Sequence, residues 1–112
     1  MARPHCPRKI ADLPGVVFFK PAGIPLRDLE ERILPLDQFE ALRLADVEGM
    51  PQIDAARQMG ISRQTFSRIL ALARQTVATC MTQGMAIRIE GGVVKLDAKP
   101  KLRKGRGSKT SC

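Results

Sequence analysis

The sequence predicts a mainly α fold: a helix-turn-helix bundle with a small C-terminal β-hairpin and an extended N-terminal arm. Three observations carry that prediction. Ala56, Gly60 and Ser62, a small residue, a flexible residue and a capping residue, follow one another between two helical patterns. Residues 62–83 contain neither Gly nor Pro and repeat apolar residues along one side. Apolar and polar residues then alternate on both sides of Gly91-Gly92. The chain has 112 residues, 44% of them hydrophobic, enough for one modest core. Residues 1–97 are therefore read as a single winged-like domain, with the helix-turn-helix at about 51–72, and residues 98–112 as a disordered basic tail.

Taken in order, residues 1–25 hold five of the eight prolines and no helical periodicity, which reads as an arm wrapped over the domain. Residues 16–19 suit a short strand. Arg3, Arg8 and Lys9 make the arm's beginning basic, which fits a solvated terminus or an extension along a phosphate backbone. Pro25 fits the first turn of a helix, and Leu26, Leu29 and Ile33 then predict a short packing helix that Pro35 stops. Asp37 and Glu40 have the spacing of a capping box, so a helix is expected from about Gln38, with Phe39, Leu42 and Ala45 inward and Gly49 at its end.

Residues 52–59 predict a helix with Ala55, Ala56 and Met59 apolar or small, and Gly60-Ile61-Ser62 supplies a tight turn and a cap. The helix from Ser62 carries Phe66, Ile69, Leu70, Ala73, Val77, Cys80 and Met81 along one side for about six turns. Residues 86–90 and 93–96 read as the two strands of a hairpin turning at Gly91-Gly92. Residues 16–19 are expected to join it, because an isolated hairpin is barely stable in water. The tail carries Lys99, Lys101, Arg103, Lys104, Arg106 and Lys109 with no acid and cannot fold alone.

Nineteen basic against eleven acidic residues leave a net charge of +8, which favours polyanions such as nucleic acid or an acidic membrane surface. No apolar run approaches the ~18 residues that span a bilayer, and the N-terminus lacks the apolar segment of a secretory signal. A cytoplasmic, nucleoid-associated protein with no membrane partner is expected. Cys6, Cys80 and Cys112, odd in number and unrelated in spacing, read as free thiols. His5 and Cys6 are adjacent, a poor start for a tetrahedral metal site, so no metal is expected. The sequence presents no Ser/His/Asp, Cys/His or paired-carboxylate arrangement and no phosphate-cradling glycine loop. Neither an enzyme nor a cofactor is expected.

The outward positions of the helix beginning at Ser62 are Arg63, Gln64, Ser67 and Arg68, and each has a base-reading role in a major groove. Arg pairs with guanine O6 and N7, Gln with adenine N6 and N7, and Ser is an adaptable donor or acceptor. Gln52, Arg57, Ser62, Thr65 and Arg74 lie toward the flanks, where phosphate contacts fix register. The plainer alternative is a helical hairpin with a solvated polar face. Against it stands the absence of any acid between Ile61 and Glu90, since solvated helices usually mix signs.

The stretch LPLDQFEALRLADVEGMPQIDAARQMGISRQTFSRILALARQTVA resembles region 4 of sigma factors. A longer match over roughly residues 1–92, carried by FKPAGIPL, EALRLAD, GISRQTF and RIEGG, resembles the bacterial and archaeal family UPF0251, also called DUF134. The resemblance implies a sigma-70 region 4-like helix-turn-helix and a DNA-binding protein, without a reaction, ligand or target. Two departures stand out: Pro51 replaces a capping Ser, and Ile53 stands where an acid is common, which leaves it exposed or touching a neighbouring subunit or the arm. The expected function is sequence-specific binding of double-stranded DNA in transcription regulation. The alternative is a protein-interaction module that contacts RNA polymerase. A homodimer would suit a palindromic site.

Overall fold

Local chemistry sets the ends of three helices in the computed structural model, which describes residues 7–96. Helix α1 (Leu36–Leu42) follows Pro35, whose extended backbone (φ −61°, ψ 154°) precedes the first turn. It widens into a π-helical turn over Arg43–Val47, where the Glu48 amide donates to the Arg43 carbonyl at 2.9 Å, and Gly49 at φ +71° ends it. Helix α2 (Gln52–Met59) stops at Gly60, whose φ of +73° is the left-handed conformation that glycine adopts without a steric cost. Helix α3 (Arg63–Gln83) opens where the Ser62 hydroxyl accepts the Thr65 amide at 3.1 Å, and closes at Gly84, with the Met85 amide on the Cys80 carbonyl.

These helices enclose the main core of Ala41, Leu44, Ala55, Ala56, Met59, Phe66, Ile69 and Leu70. Alanines on α2 let it lie close to α3, and Met59 and Phe66 are fully buried. The inward stripe of α1 is offset from expectation: Ala41 and Leu44 are fully buried, while Phe39, Leu42 and Ala45 pack partly buried at the margins of the two cores. A second, smaller core joins Leu34, Ala73 and Ile89, flanked by Leu36, Phe39, Val77 and Ile87. Helix α3 thus serves both cores, and only Met81, 77% exposed near its end, departs from its predicted apolar side.

Among the described residues there are also five short strands: β1 (Arg8–Ile10), β2 (Phe18–Phe19), β3 (Glu31–Leu34), β4 (Ala86–Ile89) and β5 (Val94–Leu96). Strand β4 lies between β2, antiparallel, and β3, parallel; β1 pairs parallel with β5 in a separate two-stranded sheet. The segment at 16–19 therefore joins β4 as expected.

The predicted C-terminal hairpin is corrected, because β4 and β5 belong to different sheets. Both edges of β4 are already taken by β2 and β3. Gly91 and Gly92 have the positive φ expected of them, +78° and +97°, but use it to hug the start of α1. The Leu36 amide donates to the Gly91 carbonyl, and a β-carbon on Gly92 would stand 3.0 Å from the Asp37 carboxylate. The chain then runs on to meet the arm, where the Arg8 amide donates to the Val93 carbonyl.

The helix predicted after Pro25 is also corrected. Only Leu26–Asp28 form a single 3-10 turn, and the chain then extends into β3. Leu26 and Ile33 are about half exposed, so no apolar face is covered, and β3 instead satisfies its backbone against β4. The capping box is likewise absent. Asp37 accepts the adjacent Gln38 amide at 3.0 Å, and Glu40 turns away to Arg43 and to the arm. Arg3, His5, Cys6, Cys112 and the basic tail lie outside the described residues. Among the described residues no helix is long and apolar enough to cross a membrane.

Candidate nucleic-acid interface

Helix α3 buries Phe66, Ile69, Leu70, Ala73 and Cys80, and this side determines what its opposite side offers. At 3.6 residues per turn, Gln64 and Arg68 fall at the middle of the outward face, one turn apart, and both are exposed. Arg63, half-buried Ser67 and Arg74 lie along one flank, and half-buried Thr65 lies on the other. The structure thus brings the four predicted base-reading residues together on the first two turns of α3, two central and two lateral. Helix α3 contains no acid.

The predicted flanking residues have different surroundings. The Ser62 hydroxyl accepts the Thr65 amide and donates to the Thr65 hydroxyl at 3.0 Å, so both side chains belong to the helix cap. Arg57 on α2 is exposed and lies 3.6 Å from Asp54. Gln52, in the first turn of α2, is half-buried, and its amide oxygen has no hydrogen-bond partner among the described residues. Arg74 is held in two hydrogen bonds by Asp46, at 2.7 and 3.1 Å, which ties α3 to the π-helical turn. Through those bonds the guanidinium holds the Asp46 carboxyl below the ordinary carboxylate range. Arg63 and Arg68 make no ion pair or side-chain hydrogen bond among the described residues. Ile53 is 54% exposed on α2, one of the two placements expected for it.

Two contributions have no local signal in the sequence. Asp46 lies 28 residues from Arg74 and meets it only through the packing of α1 on α3. Strand β1 carries Lys9 across the turn between α2 and α3: its Cγ, Cδ and Cε come within 3.8–3.9 Å of the place a β-carbon on Gly60 would occupy. The arm itself is anchored by the Ala11 amide, which donates to the Glu40 carboxylate at 3.1 Å. Buried Glu40 also receives the Arg43 guanidinium in two bonds of 2.9 Å, and this hydrogen bonding raises the arginine's pKa above its ordinary value.

Cys80 is buried and its thiol lies 3.7 Å from the Ala86 carbonyl, and burial pushes its pKa up, as for an inert packing thiol. Among the described residues no cluster of three His, Cys, Asp or Glu side chains is placed to hold a metal ion.

Comparison with known proteins gives relatives along most of the chain. A UPF0251 protein of Dehalococcoides mccartyi is 54% identical over 100 residues, covering 89% of this chain and 86% of the relative. UPF0251 proteins of Moorella thermoacetica and Rhodospirillum rubrum are each 52% identical, covering 92% and 96% of this chain and 68% and 79% of their own lengths. No solved structure matches the chain. The family model described as "Protein of unknown function DUF134" matches residues 1–97. Matched from its first residue through β5, the chain belongs to the UPF0251 (DUF134) family.

Proposed function

We propose that this protein binds double-stranded DNA in a sequence-specific manner and regulates transcription, with α2 and α3 acting as a sigma-70 region 4-like helix-turn-helix that places α3 in the major groove. One observation carries the reading: the outward face of α3 presents Gln64 and Arg68 with lateral Arg63 and Ser67, the arginines lack acidic partners among the described residues, and the helix has no acid. Such a face repels no phosphate and offers two bidentate base readers one turn apart. Gln52, Arg57, Ser62, Thr65 and Arg74 flank it as backbone contacts that set register. Arg57 and Arg74 sit beside Asp54 and Asp46 and exchange part of that pairing for phosphate.

Selection of bound duplexes from a random pool, followed by titration of the selected site, tests the proposal. A defined consensus is the expected result, and a two-fold symmetric one would assign a homodimer. Arg68→Ala is then expected to weaken specific binding by about 1–3 kcal/mol and to relax preference at one base pair. A pool that yields no enriched sequence overturns the proposal.

A further inference from the structure

We propose that Lys9, on the arm strand β1, is a phosphate-binding residue of the same interface, held at the turn between α2 and α3 by packing on Gly60. This inference rests on the DNA-binding reading and adds a contact from outside the two helices.

Three observations support it. First, β1 holds a fixed position: it pairs in register with β5, Ile10 is 2% exposed, and the Ala11 amide is bound by buried Glu40. Second, the Lys9 stem lies across Gly60, whose missing side chain leaves room for three of its carbons in van der Waals contact. The ammonium, one bond beyond Cε, is thereby delivered at the junction that opens α3. A lysine stem laid on backbone in this way loses its freedom before any ligand arrives, which lowers the entropy cost of binding an anion.

Third, the acids of this region act on other cations, Asp12 included, whose charge is felt by Arg43. Asp37 lies beside Arg8, Glu40 holds Arg43, Asp46 holds Arg74, and Asp54 lies beside Arg57. Among the described cations of β1, α2 and α3, those left without an acidic partner are Lys9, Arg63 and Arg68. Arg63 and Arg68 are on α3 itself; Lys9 reaches the same junction from 51 positions before Gly60. A phosphate at the rim of a groove occupied by α3 is a ligand that this third cation fits as a point charge.

The test is a salt titration of duplex binding by the full chain, read by fluorescence anisotropy, with wild type, Lys9→Met, Lys9→Arg and Arg68→Ala. Lys9→Met keeps most of the stem on Gly60 and removes the charge. It is expected to reduce the slope of log affinity against log salt by about 0.9, the value of one lost phosphate contact. The loss should be equal on the selected site and on unrelated sequence. Lys9→Arg is expected to keep the slope, which separates charge from packing. Wild-type slope in Lys9→Met, with wild type binding and Arg68→Ala impaired, overturns the Lys9 assignment alone. A Lys9→Arg slope reduced as far as that of Lys9→Met also overturns it. Absence of duplex binding by wild type at low salt overturns the DNA-binding reading as well.

Discussion

The two cores of this molecule are built on different terms. The helical core of α1, α2 and the first turns of α3 is closed by interlocking side chains around Phe66 and Met59, and its helices carry local signals at their ends, stops at Gly49 and Gly60 and a start at Ser62. The strand core around Leu34, Ala73 and Ile89 is smaller, and the chain segments that meet there are far apart in sequence. Its strands depend on backbone pairing and on the free passage of Gly91-Gly92 past the start of α1. Helix α3 therefore takes its orientation from the helical core, and the strand core supports its second half; the arm is fixed by β5 and by Glu40 of α1.

Breaking the helical core should therefore have the largest effect. Phe66→Ala is expected to cost about 3–5 kcal/mol in chemical denaturation, with both cores lost together because α3 runs through each. The strand side has its own weak point at Gly92. There alanine meets both a left-handed backbone, φ +97°, and a β-carbon 3.0–3.2 Å from Asp37, Pro35 and Leu36. Gly92→Ala is expected to cost about 2–3 kcal/mol. Gly60→Ala, where the atoms nearest the added carbon are those of the Lys9 stem at ordinary contact distance, should cost about 1–2 kcal/mol. Equal losses at the two glycines would remove the distinction.

Smaller losses are expected at the ends and ties of α3. Ser62→Ala removes the oxygen that caps α3 and should cost about 1 kcal/mol, read as a lower urea midpoint with an unchanged slope. The Asp46–Arg74 link gives the smallest effect, about 0.5–1 kcal/mol, because both side chains are near half exposed and screened by solvent. The folded state holds the Asp46 carboxyl below its ordinary pKa. The contribution is thus present above the usual carboxylate range and fades as pH falls through the lowered value. The stability gap between wild type and Asp46→Asn should be open at pH 7 and close in acid.

The same contrast explains which parts of the molecule were legible in the sequence. Helices α2 and α3, their turn and the grouping of Arg63, Gln64, Ser67 and Arg68 follow from caps, glycine and 3.6-residue spacing, all local signals. The strands follow from pairing between distant segments, and there local patterns misled. Leu26, Leu29 and Ile33 have helical spacing but no surface to cover, so β-branched Ile33 lies in a strand against β4. Gly91-Gly92 has the composition of a hairpin turn, yet β4 is already flanked on both sides and the chain passes on to β1. Asp37 and Glu40 have capping-box spacing, but a buried arginine-binding carboxylate outweighs a cap. Lys9 at Gly60 and Asp46 at Arg74 are tertiary contacts that no window of sequence contains.

Mapping the backbone amide shifts of the isotopically labelled protein on addition of a duplex carrying the selected site shows which face of the protein meets DNA. The predicted result is a continuous patch over residues 62–68, extending to Gln52, Arg57 and Lys9, with Phe18, Ile33 and Arg88, which lie side by side across β2, β3 and β4 on the face opposite buried Leu34 and Ile89, unchanged. Shifts centred on that strand face, or no shifts at low salt, would contradict it.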